Sequence, residues 1–236
     1  MLTKGRMARQ LNVAPGVTTM VGSGGKTSLL LTLAEELSQR ASVIVTTSTH
    51  IWPPEGMPVL LDPDSERIKK ELEERRLICV GHREPNGKLT ACNTPVAILC
   101  QIAEYVLVEG DGAKGRPLKA PDEWEPVIPQ ETRLVLAVAG LDGIGRSVES
   151  TVFRPERYGK LIGESDPEHI VTTEDVARVL IHPNGQRKGV LPGMDFQIVL
   201  NKADTRWEQE LACQVSETVG PSWKIWMSCL QEEMKC

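Results

Sequence analysis

Short apolar runs rich in β-branched residues recur along the chain: Val17–Val21, Ser42–Thr47, Leu77–Val80, Tyr105–Val108, Leu134–Val138, Phe196–Leu200 and Trp223–Met227. Between most of them the apolar positions fall at helical spacing instead. Leu29, Leu30, Leu33 and Leu37 make one face of a helix expected from about Lys26 to Gln39. A charged helix is expected over roughly Ser65–Arg76, capped by Asp64 or Ser65, and another opens at Thr94-Pro95. Further helical pieces fall around 155–163 and 173–181, then over Trp207–Val219. In the 173–181 piece Thr172 or Thr173 is the cap, and Glu174 and Asp175 lie where the helix dipole favours acids. Residues 1–14 read as a loose leader or a short helix, and Asn86-Gly87 as a hairpin turn. Apolar strands alternating with helices predict an α/β protein, with a mostly parallel sheet covered on both faces. No repeat or low-complexity linker divides the chain, so one domain spanning 1–236 is expected, with a possible small insertion around 60–92.

The first strand runs into Gly22-Ser23-Gly24-Gly25-Lys26-Thr27-Ser28, which opens the first helix. A strand, a glycine loop and a lysine–hydroxyl pair at a helix start are the parts of a phosphate-binding loop. Backbone N–H groups and the helix dipole surround an anion there. The spelling is G-x-x-G-K-T rather than G-x-x-x-x-G-K-[ST], because Met20 stands where the longer form has its first glycine. A similar short loop occurs in ATP-dependent ligases of the Mur and folylpolyglutamate type. The nucleotide-binding candidates are Gly22, Ser23, Gly24, Gly25, Lys26, Thr27 and Ser28, within a P-loop NTPase-like fold. Lys26 would meet the β/γ-phosphates and Thr27 a Mg²⁺ ion.

Ligands of a parallel sheet bind beyond the carboxyl ends of its strands. That rule gathers Gly22–Ser28, Thr46–His50, Glu109–Lys119, Ala139–Gly143 and Asn201–Asp204 into one region. Glu109 and Asp111 follow an apolar strand and are candidate Mg²⁺ ligands beside Thr27, since hard oxygen donors suit that ion. Lys26, Asp111 and Lys114 are candidate catalytic residues. Lys114, Arg116 and Lys119 make an anion or substrate loop that would close over a phosphate or an acidic group. Asn201, Lys202 and Asp204 spell N-K-x-D, in which a carboxylate reads the N1 and N2 donors of guanine; Asp204 or Thr205 would equally cap the next helix. The loop form points to ATP and the base-reading tetrapeptide to GTP, so the expected cofactor is Mg²⁺ with GTP or ATP, GTP slightly favoured.

Composition narrows the partners. A net charge of −5 argues against a general nucleic-acid binder, which favours a basic face. No stretch of about 18 apolar residues is present, so no membrane span is expected. The six cysteines include no C-x-x-C pair, which excludes the usual zinc spacing and fits a cytoplasmic chain with reduced thiols. Oligomeric state is open at this level.

Several motifs, in this order, are similar to those of the YqeC family. They are V-G-S-G-G-K-T-S-L-L from Val21, V-T-T-S-T-H-I from Val45, E-G-D-G-A-K-G-R-P-L-K-A-P from Glu109, and E-P-V-I-P from Glu125. G-K-L-x-G from Gly159, T-x-E-D-V-A-R-V-L-x-H-P-x-G from Thr172 and V-L-N-K-A-D from Val199 complete the series. The resemblance runs from about Val17 to Asp204, and the D-G-A-K-G-R-P-L-K loop is its most specific part. Trp124 departs from it, standing where a histidine is expected. The resemblance implies an accessory role for selenium-dependent molybdenum hydroxylases, in making or inserting a labile selenium-containing molybdenum cofactor, which adds that cofactor and an apo-hydroxylase as partners to the nucleotide expected from the loop. It supplies no reaction. Two readings stand at this point: an enzyme that hydrolyses or spends a nucleotide, and a non-catalytic carrier of a pterin-dinucleotide molybdenum cofactor.

Overall fold

The computed structural model describes residues 1–229. A short helix α1 (Met7–Gln10) precedes β1 (Gly16–Gly22), α2 (Lys26–Ser38) and β2 (Val43–Thr47). Then come β3 (Val59–Leu61), α3 (Ser65–Arg75), the hairpin β4 (Leu77–Arg83) and β5 (Leu89–Thr90), α4 (Val96–Ile102) and β6 (Tyr105–Glu109). The second half holds β7 (Leu118–Lys119), β8 (Thr132–Gly140), α5 (Val148–Thr151), β9 (Val152–Phe153), α6 (Pro155–Ile162) and α7 (Thr173–Ile181). It closes with β10 (Asp195–Asn201), α8 (Arg206–Val219) and β11 (Lys224–Ser228).

Nine strands form one sheet in the order β11-β10-β8-β1-β6-β2-β4-β3, with β5 joined to β4. All neighbours are parallel except β4 and β5. The expected α/β class is therefore present, in a form consistent with a P-loop NTPase-like arrangement. β1 lies near the centre between β8 and β6, which is why its carboxyl end has a polar loop on either side. Met20 pairs with Glu109, and Val138 with Gly22, so Glu109 and the end of β8 sit level with the start of the loop.

Period-two alternation decides which residue faces which layer. Leu134, Leu136 and Val138 join α1 and α2 in one core cluster, whereas Val135, Ala137 and Ala139 join α6, α7 and α8 on the opposite face. Ile44, Val106 and Val108 pack with α3 and α4, while Val43, Val45 and Leu107 face α2. Leu29, Leu30, Leu33 and Leu37 are all buried, as their spacing requires. The amino terminus is not a loose leader: Leu2, Met7, Ala8 and Leu11 are buried in the α2-side core. Residues 60–92 are continuous with the sheet, supplying β4, most of the edge strand β3 and the β5 hairpin. Capping boxes at Thr172–Asp175 and Thr205–Glu208 fix the starts of α7 and α8. Among the described residues no helix is long and apolar enough to cross a membrane.

Candidate phosphate-binding site

The chain leaves β1 at Gly22, turns through Ser23–Gly25 and enters α2 at Lys26. Two glycines are required by contact as well as by conformation. A Cβ on Gly24 (φ +74°) would lie 2.3 Å from the Gly140 nitrogen, and one on Gly25 (φ +125°) would lie 2.0 Å from Asn201 Nδ2. The loop is thus pressed between the ends of β8 and β10. Gly25 has no side chain to cap α2, so the first-turn amides, which lack intrahelical acceptors, are donors for an anion. Thr27 and Ser28 are exposed at that turn.

Behind the loop lies a buried chain of alternating charges. Lys26 Nζ donates to the Gly22 carbonyl at 2.7 Å and lies 3.3 Å from Asp111 Oδ1 and 3.8 Å from Glu109 Oε1. The Gly22 N–H donates to both Asp111 oxygens, at 3.1 and 3.0 Å. Asp111 also receives Lys119 Nζ at 2.8 Å, and Lys119 pairs in turn with Glu125 at 2.7 Å. Glu125 is gripped by Arg154 through Nη1 at 2.6 Å and Nη2 at 3.2 Å, and Arg154 Nε lies 3.0 Å from Asp122. Lys26, Asp111, Lys119 and Glu125 are all buried. Burial alone would raise the Glu125 carboxyl, but the Arg154 hydrogen bonds and the Lys119 charge hold it below its usual range.

Glu109 differs from Asp111. Burial pushes its carboxyl above the ordinary range, against the pull of Lys26 and of Thr27. The Thr27 hydroxyl donates to Glu109 Oε2 at 2.8 Å, so a hydroxyl and a carboxylate meet at the mouth of the loop. The two acidic candidates are therefore separated: Glu109 stands beside Thr27, and Asp111 is engaged by one backbone N–H and two lysines.

The N-K-A-D segment touches the loop directly. Asn201 Nδ2 donates to the Gly24 carbonyl at 2.8 Å, and Asn201 Oδ1 accepts from Ser228 Oγ at 2.8 Å. Lys202, held at φ +62°, pairs with Asp142 Oδ2 at 2.7 Å. Asp204 is exposed and accepts from the Cys229 thiol. The sites expected from separate strand ends are thus contiguous: loop, Asn201 and Ser228 form one hydrogen-bonded series.

The 110–119 segment is divided. Lys119 is 1% exposed and held by Asp111, Glu125 and the Gly112 carbonyl, so it faces inward rather than over the loop mouth. Lys114 and Arg116 are exposed. Lys114 sits 5.4 Å from the Phe153 ring centre and Arg116 donates to the Ser150 carbonyl, which ties both to the α5–β9 segment. Pro117 contacts the loop, its carbonyl accepting from Ser23 Oγ at 2.9 Å and from the Gly140 N–H at 3.0 Å. His50, at the end of the β2 segment, pairs with Glu84 at 3.1 Å.

Four participants were not identified from sequence. Glu125 lies in the E-P-V-I-P motif, where Trp124-Glu125-Pro126 suggests an anchor for the far end of the 110–130 loop but no ion pair with Lys119. Asp142 lies in a strand-end segment that position alone selected. Arg154 and Asp122 carry no motif, and only the fold brings them to Lys119 and Glu125. A cavity of about 880 Å³, lined by Pro155, Glu156, Lys160 and Asp166 among others, shares no lining residue with the loop.

The family model described as YqeC protein matches residues 18–156. The chain is also 32% identical over 231 residues to "Uncharacterized protein YqeC" of Escherichia coli (strain K12), covering 92% of this chain and 89% of that protein. No solved structure matches the chain. The matched span contains the loop, Glu109, Asp111 and Lys119, and the longer alignment covers most of the remainder. The chain belongs to the YqeC family.

Proposed function

We propose that this protein binds the phosphates of a nucleotide at the loop, with Mg²⁺ on Thr27 and Glu109, as an accessory protein in the maturation of selenium-dependent molybdenum hydroxylases. The observation that carries the binding reading is the resting place of Lys26. Its ammonium is held on the loop's own Gly22 carbonyl at 2.7 Å, beside the first-turn amides of α2. A phosphate at those amides offers Lys26 a stronger, charge-assisted partner than a neutral carbonyl. The Thr27–Glu109 pair suits Mg²⁺, which takes one or two protein oxygens and completes its shell with water and phosphate oxygens. Bound there, the ion would neutralise phosphate charge. The hydroxylase role comes from the family resemblance.

Guanine is the favoured base. Asn201 is already committed to Gly24 and Ser228, which leaves the Asp204 carboxylate, on the same short turn and exposed, to meet the N1 and N2 donors. A carrier of a pterin-dinucleotide molybdenum cofactor is the second reading, and one observation favours it. Asp111 is saturated by Gly22 N–H, Lys26 and Lys119, so the best-placed acid after Glu109 is not free to activate water.

The test is direct. Purified protein is titrated with fluorescent GTP and ATP analogues with and without Mg²⁺, and phosphate release is followed for wild type and Lys26→Met. Mg²⁺-dependent turnover lost in the variant supports an NTPase. Tight binding without turnover supports the carrier. Absence of binding by folded wild type overturns the proposal.

A further inference from the structure

Asp111 is wholly buried and bonded to the backbone of the loop, yet it shares its charge with the lysine that a phosphate must attract. If Lys26 left for a ligand with nothing else beside Asp111, an uncompensated carboxylate would be stranded in the interior, at heavy electrostatic cost. The second cation is Lys119, 2.8 Å from the other Asp111 oxygen. We propose that Lys119 is a positioning residue: it holds the charge of Asp111 so that Lys26 is free to transfer to a bound phosphate. The proposal rests on the phosphate-binding reading above and deepens it.

The surroundings of Lys119 fit that role. It reaches Asp111 from the far side of the carboxylate and is anchored by the Gly112 carbonyl at 2.6 Å, so it does not follow Lys26. Its own excess charge is met by Glu125, which Arg154 balances in turn. Asp111, Lys119 and Glu125 thus each keep a charged partner when Lys26 moves, and Glu109 keeps the Thr27 hydroxyl. The polar partners of the Lys119 side chain are Asp111, Glu125 and the Gly112 carbonyl, none of them in the glycine loop, so Lys119 acts through Asp111. β7, which carries Lys119, is held in register by parallel pairing with β9, and Gln186 Nε2 donates to the Lys119 carbonyl at 3.0 Å. The backbone at Lys119 is therefore fixed on both sides.

The experiment compares binding of a fluorescent Mg²⁺–GTP analogue by wild type, Lys119→Met, the double variant Lys119→Met/Asp111→Asn, and Glu125→Gln, with thermal melts of each sample. Lys119→Met is expected to weaken binding by about tenfold or more, because Lys26 is then locked on Asp111. Removing both charges in the double variant releases Lys26, and affinity is expected to return towards wild type. A merely structural lysine would show no such rescue. Glu125→Gln concentrates Lys119 on Asp111 and is expected to tighten binding, and it decides the matter if Lys119→Met does not fold. Unchanged affinity in folded Lys119→Met, no rescue in the double variant, or unchanged or weaker binding by Glu125→Gln overturns the proposal. Those outcomes leave the phosphate reading standing; failure of wild type to bind overturns that reading, and this inference with it.

Discussion

Asn201 joins the end of β10 to the glycine loop: its Nδ2 donates to the Gly24 carbonyl at 2.8 Å while its Oδ1 accepts from Ser228 at 2.8 Å. Asn201 is 3% exposed and Ser228 is fully buried, so the Ser228 hydroxyl has no ready access to replacement water. Asn201→Ala is expected to cost about 1–3 kcal/mol in urea unfolding, the range for leaving a buried polar group unsatisfied. Nucleotide affinity should fall in the same variant, since the loop loses its tether. Asn201→Ala with wild-type stability would remove the tether from the account.

Gly25 meets the same side chain from the loop. Gly25→Ala places a Cβ 2.0 Å from Asn201 Nδ2 at a φ of +125°, where L-residues are strained. Melting should drop by more than the Asn201→Ala loss alone. Combining the two substitutions should recover part of the difference, because the clash disappears while the backbone strain persists.

Glu109 and Asp111 are expected to separate in function. Asp111→Asn leaves two buried lysines short of a counter-charge and should destabilise by about 3–5 kcal/mol. Glu109→Gln keeps an acceptor for the Thr27 hydroxyl and should fold normally, while Mg²⁺ no longer strengthens nucleotide binding. Denaturant titration and a Mg²⁺ dependence of binding check the pair. Equal effects of the two substitutions would contradict their separate roles.

His169 gives a pH signature away from the loop. Its Nε2 lies 2.8 Å from Asp175 Oδ2, and that hydrogen bond raises the imidazole above its ordinary value. A raised folded pKa stabilises the fold fully below the unfolded value of about 6.5, and the gain is lost as pH rises through the folded pKa. The pair is partly exposed, so the gain is below about 1 kcal/mol. His169→Gln should flatten the difference in unfolding free energy between mildly acidic and mildly alkaline buffer.

The thiols should divide by burial. Burial, with a smaller contribution from Cys92, pushes the Cys79 thiol up to about 12, whereas Cys213 is exposed. In folded protein at mildly alkaline pH, iodoacetamide should label Cys213 and spare Cys79 until denaturant is added. Peptide mass mapping reads this directly. Rapid native labelling of Cys79 would mean that β4 opens locally.

Local pattern was enough for most of the fold. β-branched runs and leucine spacing located the long helices and central strands within a residue or two, because each element buries a face set by its own period. The missed pieces, β3, β7, β9 and α5, are two to four residues long. The short strands form only when a neighbouring strand completes their hydrogen bonds, and α5 takes acceptors for its first N–H groups from the Pro167 and His169 carbonyls.

By itself, the sequence determined the glycine loop and its lysine, the acids at the end of β6 and the N-K-A-D turn, since each is a local spelling beside a strand. Only the tertiary structure decided what those groups hold. Asp111 and Glu109 are two residues apart, yet one turns inward to two lysines and the other meets Thr27. Lys119 and Arg116 share one basic loop, yet one is buried and the other exposed. Charge in a sequence carries no direction. Direction comes from which side of the sheet the backbone passes and from the partners, such as Arg154, that distant segments bring to it.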